Sequence, residues 1–198
     1  MAKRGETARG EKPINYDLLT LVTYPGASLR KKAAAIAQVN DDVRAAIQSM
    51  LRIMRENEGI GLAAPQVGLS WRLFIVDIPA KEGRTSTGTA ESPPTATDGL
   101  AVYINPLISK PTGPVEPFEE GCLSIPDIRG DVLRPPIVTI TALDEQGRLF
   151  TQTGAGLLAR CWQHELDHLN GVLIIDKMLQ AARLRNQAAI RDLERDAE

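Results

Sequence analysis

The stretch CWQHELDHLNG, residues 161–171, carries both histidines of the chain, one of its two cysteines and a glutamate directly after the first histidine. His164 and His168 are four apart. On a helix their imidazoles share one face about one turn apart and can grip a single ion. Glu165 then points to one side of the pair, where it can reach a metal-bound water without being a ligand. This is the logic of H-E-x-x-H, in which the metal acidifies water and the glutamate takes its proton. The competing reading is a polar helix face with two unrelated histidines, and the five-residue pattern alone does not decide between them.

Two imidazoles are fewer than the three protein ligands that a catalytic site keeps beside its open position. The protease pattern H-E-x-x-H-x-x-G-x-x-H fits at Gly171 but puts Ile at 174, and the only glutamates further on are Glu194 and Glu198. The third ligand is therefore expected upstream, as sulfur. Cys161 lies on the same helix, and at 1.5 Å per residue it stands about 7.5 Å along the axis from the midpoint of the two histidines. A cysteine side chain plus a metal–sulfur bond of about 2.3 Å falls short of that. Cys161 reads instead as a small apolar residue near the site. Cys122, in EEGCLSIP (119–126), is the better choice. Its Gly before and Pro four residues after predict an extended, locally irregular segment that approaches the helix from outside. A buried structural thiol is the ordinary alternative.

A third segment, GIGLAAPQVG (59–68), has glycines at 59, 61 and 68 that permit close backbone approach. Its spacing fits neither a Walker nor a dinucleotide loop. Gln66 is its one side-chain amide donor; the modest reading of Gln66 is a turn cap.

The elements that must position these residues follow from pattern. Asn40-Asp41-Asp42 predicts a helix start with acids in the first turn. Val43, Ile47, Met50, Leu51 and Met54 mark one apolar face, with a stop at Gly59. WRLFIVDI (71–78), LAVYIN (100–105) and PIVTITALD (136–144) read as strands, and DEQG as a hairpin turn before RLF. Helical pattern runs from Gly156 to about Leu169 and again over 176–195. Residues 1–13 read as a flexible polar tail. Residues 80–99 are small, polar and proline-bearing, which predicts an exposed loop within one domain spanning 14–198. Strands followed by helices without βαβ alternation indicate an α+β fold.

The chain has 198 residues, 43% hydrophobic, and a formal net charge of −2. Such a balance gives no reason to expect a nucleic-acid substrate. No apolar run approaches the ~20 residues of a membrane span. The polar N-terminus lacks the apolar core of a secretory signal. Two cysteines make no disulfide framework, and the expected compartment is the reducing cytoplasm.

GIGLAAPQ, EGCLSIP and QHELDHLNG, in that order, resemble the three motifs of the peptide deformylase family. TYPGASLRKKA (23–33) is also similar to its N-terminal region, and the likeness runs from about Val22 to Met178. The tail and the 80–99 loop, longer than usual, depart from it. The resemblance implies antiparallel β-sheets packed around a central helix that carries the HExxH motif, with a C-terminal helix. It implies removal of formate from N-formylmethionyl ends of newly made polypeptides. The implied ligands are Cys122, His164 and His168, with Glu165 as acid and base. Gln66 and the backbone N–H of Leu123 are the implied oxyanion donors. Gly59 and Gly61 let the peptide lie along the backbone, Ile60, Phe118, Leu157 and Cys161 are candidates for the methionine pocket, and Arg129 lies near the bound peptide. Two imidazoles and a thiolate by themselves suit zinc. The family implies Fe(II), with zinc, nickel or cobalt able to substitute. Asp167 is expected to act structurally, paired with Arg134. The arginines at 183, 185, 191 and 195 read as a solvated face; the family's C-terminal region can dock on the ribosome. The rivals are a zinc endopeptidase, weakened by its missing downstream ligand, and a non-catalytic relative, weakened by the intact motif residues.

Overall fold

The structure is a computed structural model and describes residues 14–81, 83–89 and 91–195. The expected 1–13 tail lies outside the described residues. Helix α1, Asp41–Glu56, begins where Asn40 accepts a hydrogen bond from the Val43 N–H, a cap worth about 1 kcal/mol. It stops three residues before Gly59. Asn57 hydrogen-bonds back to the Ile53 carbonyl, Glu58 takes the left-handed conformation (φ 55°), and the Gly59 N–H closes onto Met54.

Five antiparallel strands form the main sheet: β1 (Gly61–Ala63), β2 (Leu73–Val76), β3 (Ala101–Thr112), β6 (Ile137–Leu143) and β7 (Leu149–Ala155), in the order β1-β2-β3-β6-β7. Strands β4 (Glu116–Cys122) and β5 (Ile125–Arg134) make a separate hairpin. The Asp144–Gly147 turn joins β6 to β7, as its sequence predicts, with Asp144 Oδ1 accepting from the N–H groups of Gln146 and Arg148. Strand β2 is buried on both faces. Leu73 and Ile75 join the α1 cluster of Ile47, Met50 and Met54, while Phe74 and Val76 join Tyr103, Leu158 and Trp162. The sheet is thus sandwiched between α1 and α2 (Gly156–Leu169), the central helix that carries HELDH.

Two expectations need correction. The helical stretch over 176–195 is three pieces: α3 (Ile174–Lys177), α4 (Gln180–Arg185) and α5 (Gln187–Arg195). Met178 pairs with Val132 and the Leu179 N–H donates to Asp131, so β5 draws the chain out of helical geometry there. The 80–99 segment is only partly an exposed loop. Pro93, Ala96 and Thr97 are buried, with Ala96 in the α2 core cluster. Among the described residues no helix is long and apolar enough to cross a membrane.

Candidate metal centre and substrate cleft

Helix α2 places His164 and His168 edge to edge, with their Nε2 atoms 3.2 Å apart. Cys122, at a register shift where β4 turns into β5, brings its Sγ to 3.3 Å from His168 Nε2. The three donor atoms all lie within 4.8 Å of one another. Ligands of a tetrahedral ion with bonds of about 2.0 to 2.3 Å stand roughly 3.3 to 3.6 Å apart, and the His164–His168 and Cys122–His168 pairs are close to that spacing. Two facing imidazole nitrogens at this distance cannot both carry protons; they share one proton or one cation. Burial, then the positive charges at His164 and Arg134, push His168 well below its ordinary value and keep it a neutral donor. Burial would also lower His164, but its hydrogen bonds with Cys122 and Glu120 outweigh that and raise it.

Glu165 is buried beside this trio, and its Oε2 has no hydrogen-bond partner among the described residues. Desolvation pushes its carboxyl up to about 7. Such a group takes and returns a proton near neutrality. Gln66 is 2% exposed. Its Oε1 accepts from the Ala63 N–H at 2.8 Å, which aims Nε2 at Ser124 Oγ (3.1 Å) and Cys122 Sγ (3.6 Å). The turn-cap reading of Gln66 therefore holds, and the cap orients the amide toward Cys122.

A cavity of about 570 Å³ opens beside the trio. Gly59, Ile60 and Gly61 form one wall, Phe118, Leu123 and Arg129 of the hairpin region the other, and Leu157, Cys161, His164 and Glu165 of α2 the floor. His168 is buried behind it. The absent side chain at Gly61 is explained by α2 itself: a β-carbon there would lie 2.5 Å from Glu165 Oε1 and 2.7 Å from Cys161 Sγ. A β-carbon at Gly59 would meet Leu123 at 2.7 Å. Close approach was legible in these glycines, but the approaching groups are the protein's own. Cys161 stands apart from the donor trio, and burial pushes its thiol well up, so it stays protonated.

Sequence reasoning paired Arg134 with Asp167, and the pair is present at 2.7 Å. It missed what completes the network. Glu120 receives two hydrogen bonds from Arg134 (2.7 and 2.9 Å), one from Arg160 (2.8 Å) and sits 3.0 Å from His164 Nδ1. Burial would raise the Glu120 carboxyl, but its hydrogen bonds with Arg134 and His164 hold it well below the usual carboxylate range. As a carboxylate it accepts the Nδ1 proton, which leaves Nε2 of His164 free to bind an ion. Arg160 also reaches the Val132 and Glu116 carbonyls and lies 5.1 Å over the Phe118 ring, so it ties α2 to the hairpin. The available signal was alternation: Glu120 is two residues before Cys122 on one strand, and Arg160 one turn before His164 on one helix face.

The polypeptide deformylase family profile matches residues 18–184. Curated relatives include the peptide deformylases of Prochlorococcus marinus, 36% identical over 93% of this chain and 85% of theirs, and of a Synechococcus species, 40% identical over 89% and 82%. Among solved structures, the peptide deformylase of Plasmodium falciparum has a TM-score of 0.78 at 34% identity, covering 89% of this chain and 96% of its own. A peptide deformylase from Synechococcus elongatus, solved in complex with actinonin, has a TM-score of 0.75 at 36% identity, covering 97% and 95%. The chain belongs to the polypeptide deformylase family.

Proposed function

We propose that this chain carries out its family's reaction, removal of the formyl group from N-formylmethionine at the start of new polypeptides, with Cys122, His164 and His168 holding the metal and Glu165 moving the proton. The observation that supports this most is the convergence of three donor atoms beside a buried carboxylate oxygen with no hydrogen-bond partner among the described residues. Cys122, His164 and His168 would hold a divalent ion, which would supply an acidified water and a positive charge for the formyl oxygen. Glu165 accepts the water's proton and later gives it to the leaving amine. Gln66 Nε2 and the Leu123 N–H donate to the oxygen on which charge builds. Ile60, Phe118, Leu157 and Cys161 enclose the methionine side chain, Gly59 and Gly61 flank the peptide backbone, and Arg129 stands where the following residues pass.

Iron(II) is the ion we assign in the cell. The family resemblance favours it, and the mixed nitrogen and sulfur donors accept it as well as zinc. The enzyme works in the cytoplasm, where nascent chains emerge. The exposed arginines at 183, 185, 191 and 195 offer a basic face for the ribosome, which cosedimentation with ribosomes at graded salt would test. The function itself is tested by incubating metal-loaded protein with formyl-Met-Ala-Ser and with the unformylated peptide. Formate release from the first and no cleavage of the second is expected. Internal cleavage of either would favour the endopeptidase.

A further inference from the structure

Helix α2 begins directly where β7 ends, and among the described residues no side chain caps it. The Ala155 N–H donates to the Pro94 carbonyl at 2.9 Å, and the Gly156 N–H to that of Pro136 at 2.9 Å. Gly156 sits at φ 54°, and a β-carbon there would lie 3.3 Å from Thr95 Cγ2. The start of the helix that carries the metal ligands is thus held from outside, in part by the returning leg of the 80–99 segment.

That leg is itself anchored. The Thr97 N–H donates to the Ile78 carbonyl at 2.9 Å, and Thr97 Oγ1 accepts from the Ile78 N–H at 2.8 Å. Ala96 is 1% exposed within the α2 core. The N–H groups of Thr95 and Ala96 both donate to the Thr85 carbonyl. Pro93 and Pro94 restrict the backbone leading in. Beyond Thr85 the tip turns back on itself through Thr89 and Ser92 and is largely exposed. The next residue after Gly156 is Leu157, which lines the cleft, with Arg160 and Cys161 one turn on.

We infer that Pro94–Thr97 is a positioning element that sets the methionine pocket by fixing the first turn of α2. This rests on the assignment of Leu157 to the pocket wall. A small displacement of a substrate-positioning wall weakens productive binding without touching the reacting groups.

The test uses metal-loaded full chains and kcat and KM for formyl-Met-Ala-Ser and formyl-norvalyl-Ala-Ser. Thr97→Val, which keeps shape and removes the acceptor for Ile78, is expected to raise KM for the methionine peptide about 3- to 10-fold. Its kcat should stay within about twofold, its metal should stay bound, and its Met-over-norvaline preference should narrow. Thr97→Ser should restore the wild-type values. Thr95→Ala, which leaves the core intact, should move KM and preference in the same direction by a smaller factor. Unchanged KM and preference in both Thr97→Val and Thr95→Ala would overturn the inference. So would a fall in kcat with metal loss and no change in preference. Leu157→Ala separates the two readings: if it shifts the preference and the brace variants do not, the brace alone is wrong. If Leu157→Ala shifts nothing, the pocket assignment falls and the brace falls with it.

Discussion

Glu120 Oε2 lies 3.0 Å from His164 Nδ1, and the same carboxylate is held by Arg134 and Arg160. One strand residue thereby sets the tautomer of an imidazole in the candidate metal centre on α2. Removing such an outer partner typically costs 10- to 100-fold in metal affinity or activity. Glu120→Gln keeps the shape and loses the charge that fixes the Nδ1 proton. We expect its metal affinity, measured by competition with a chelator, to fall by about that range. An unchanged affinity would show that the carboxylate does not tune the site.

Arg134 is 3% exposed and bridges Glu120 to Asp167. Arg134→Leu removes the bidentate partner of buried Glu120, which keeps Arg160 as its counter-charge, and leaves Asp167 with Lys177. Breaking a buried pair from one side costs about 3–5 kcal/mol. Urea unfolding of the metal-free protein isolates this from metal binding, and the midpoint is expected to drop steeply. A midpoint equal to wild type would mean that the network is solvated in solution.

Under the proposed function Cys122 and Cys161 have different roles. Cys122→Ala removes one of three donors and should lose metal and turnover together. Cys161→Ala should keep its metal and alter peptide binding or stability only. Stoichiometric metal in Cys122→Ala would assign the wrong thiol.

Air should inactivate the enzyme isolated with its native ion. Iron(II) beside a thiolate is open to oxidation, and Cys122 can then be oxidised and released. Zinc has no redox chemistry of its own and should protect the site. Activity, bound iron and the oxidation state of Cys122 are followed with and without oxygen. Equal durability of the iron and zinc forms would remove the support for iron.

The helices were legible because their signals are local. Asn40 caps α1, the 3.6-residue period of Val43, Ile47, Met50 and Met54 buries one face, and His164 and His168 declare the important face of α2. Strands β2 and β6 were legible as apolar, β-branched runs. The β4–β5 hairpin was not, because EPFEEG is largely exposed and its partner is recognisable only through pairing. The break at Met178 and Leu179 was hidden for a similar reason: their partners, Val132 and Asp131, are over forty residues away. Glu120 reads as one more acid until the fold brings Arg134, Arg160 and His164 to it. Thr97 and Ala96 look like loop residues because composition cannot report a hydrogen bond to Ile78.

Glu165→Gln, loaded with metal and compared with wild type for formate release from formyl-Met-Ala-Ser, is the most direct test of the proton-transfer role. The amide fills the same space beside His164 but cannot take a proton from water. The account predicts full metal content with turnover reduced at least about 10²- to 10⁴-fold, the usual contribution of a general acid–base group. A Glu165→Gln protein that binds metal and releases formate at the wild-type rate would contradict it.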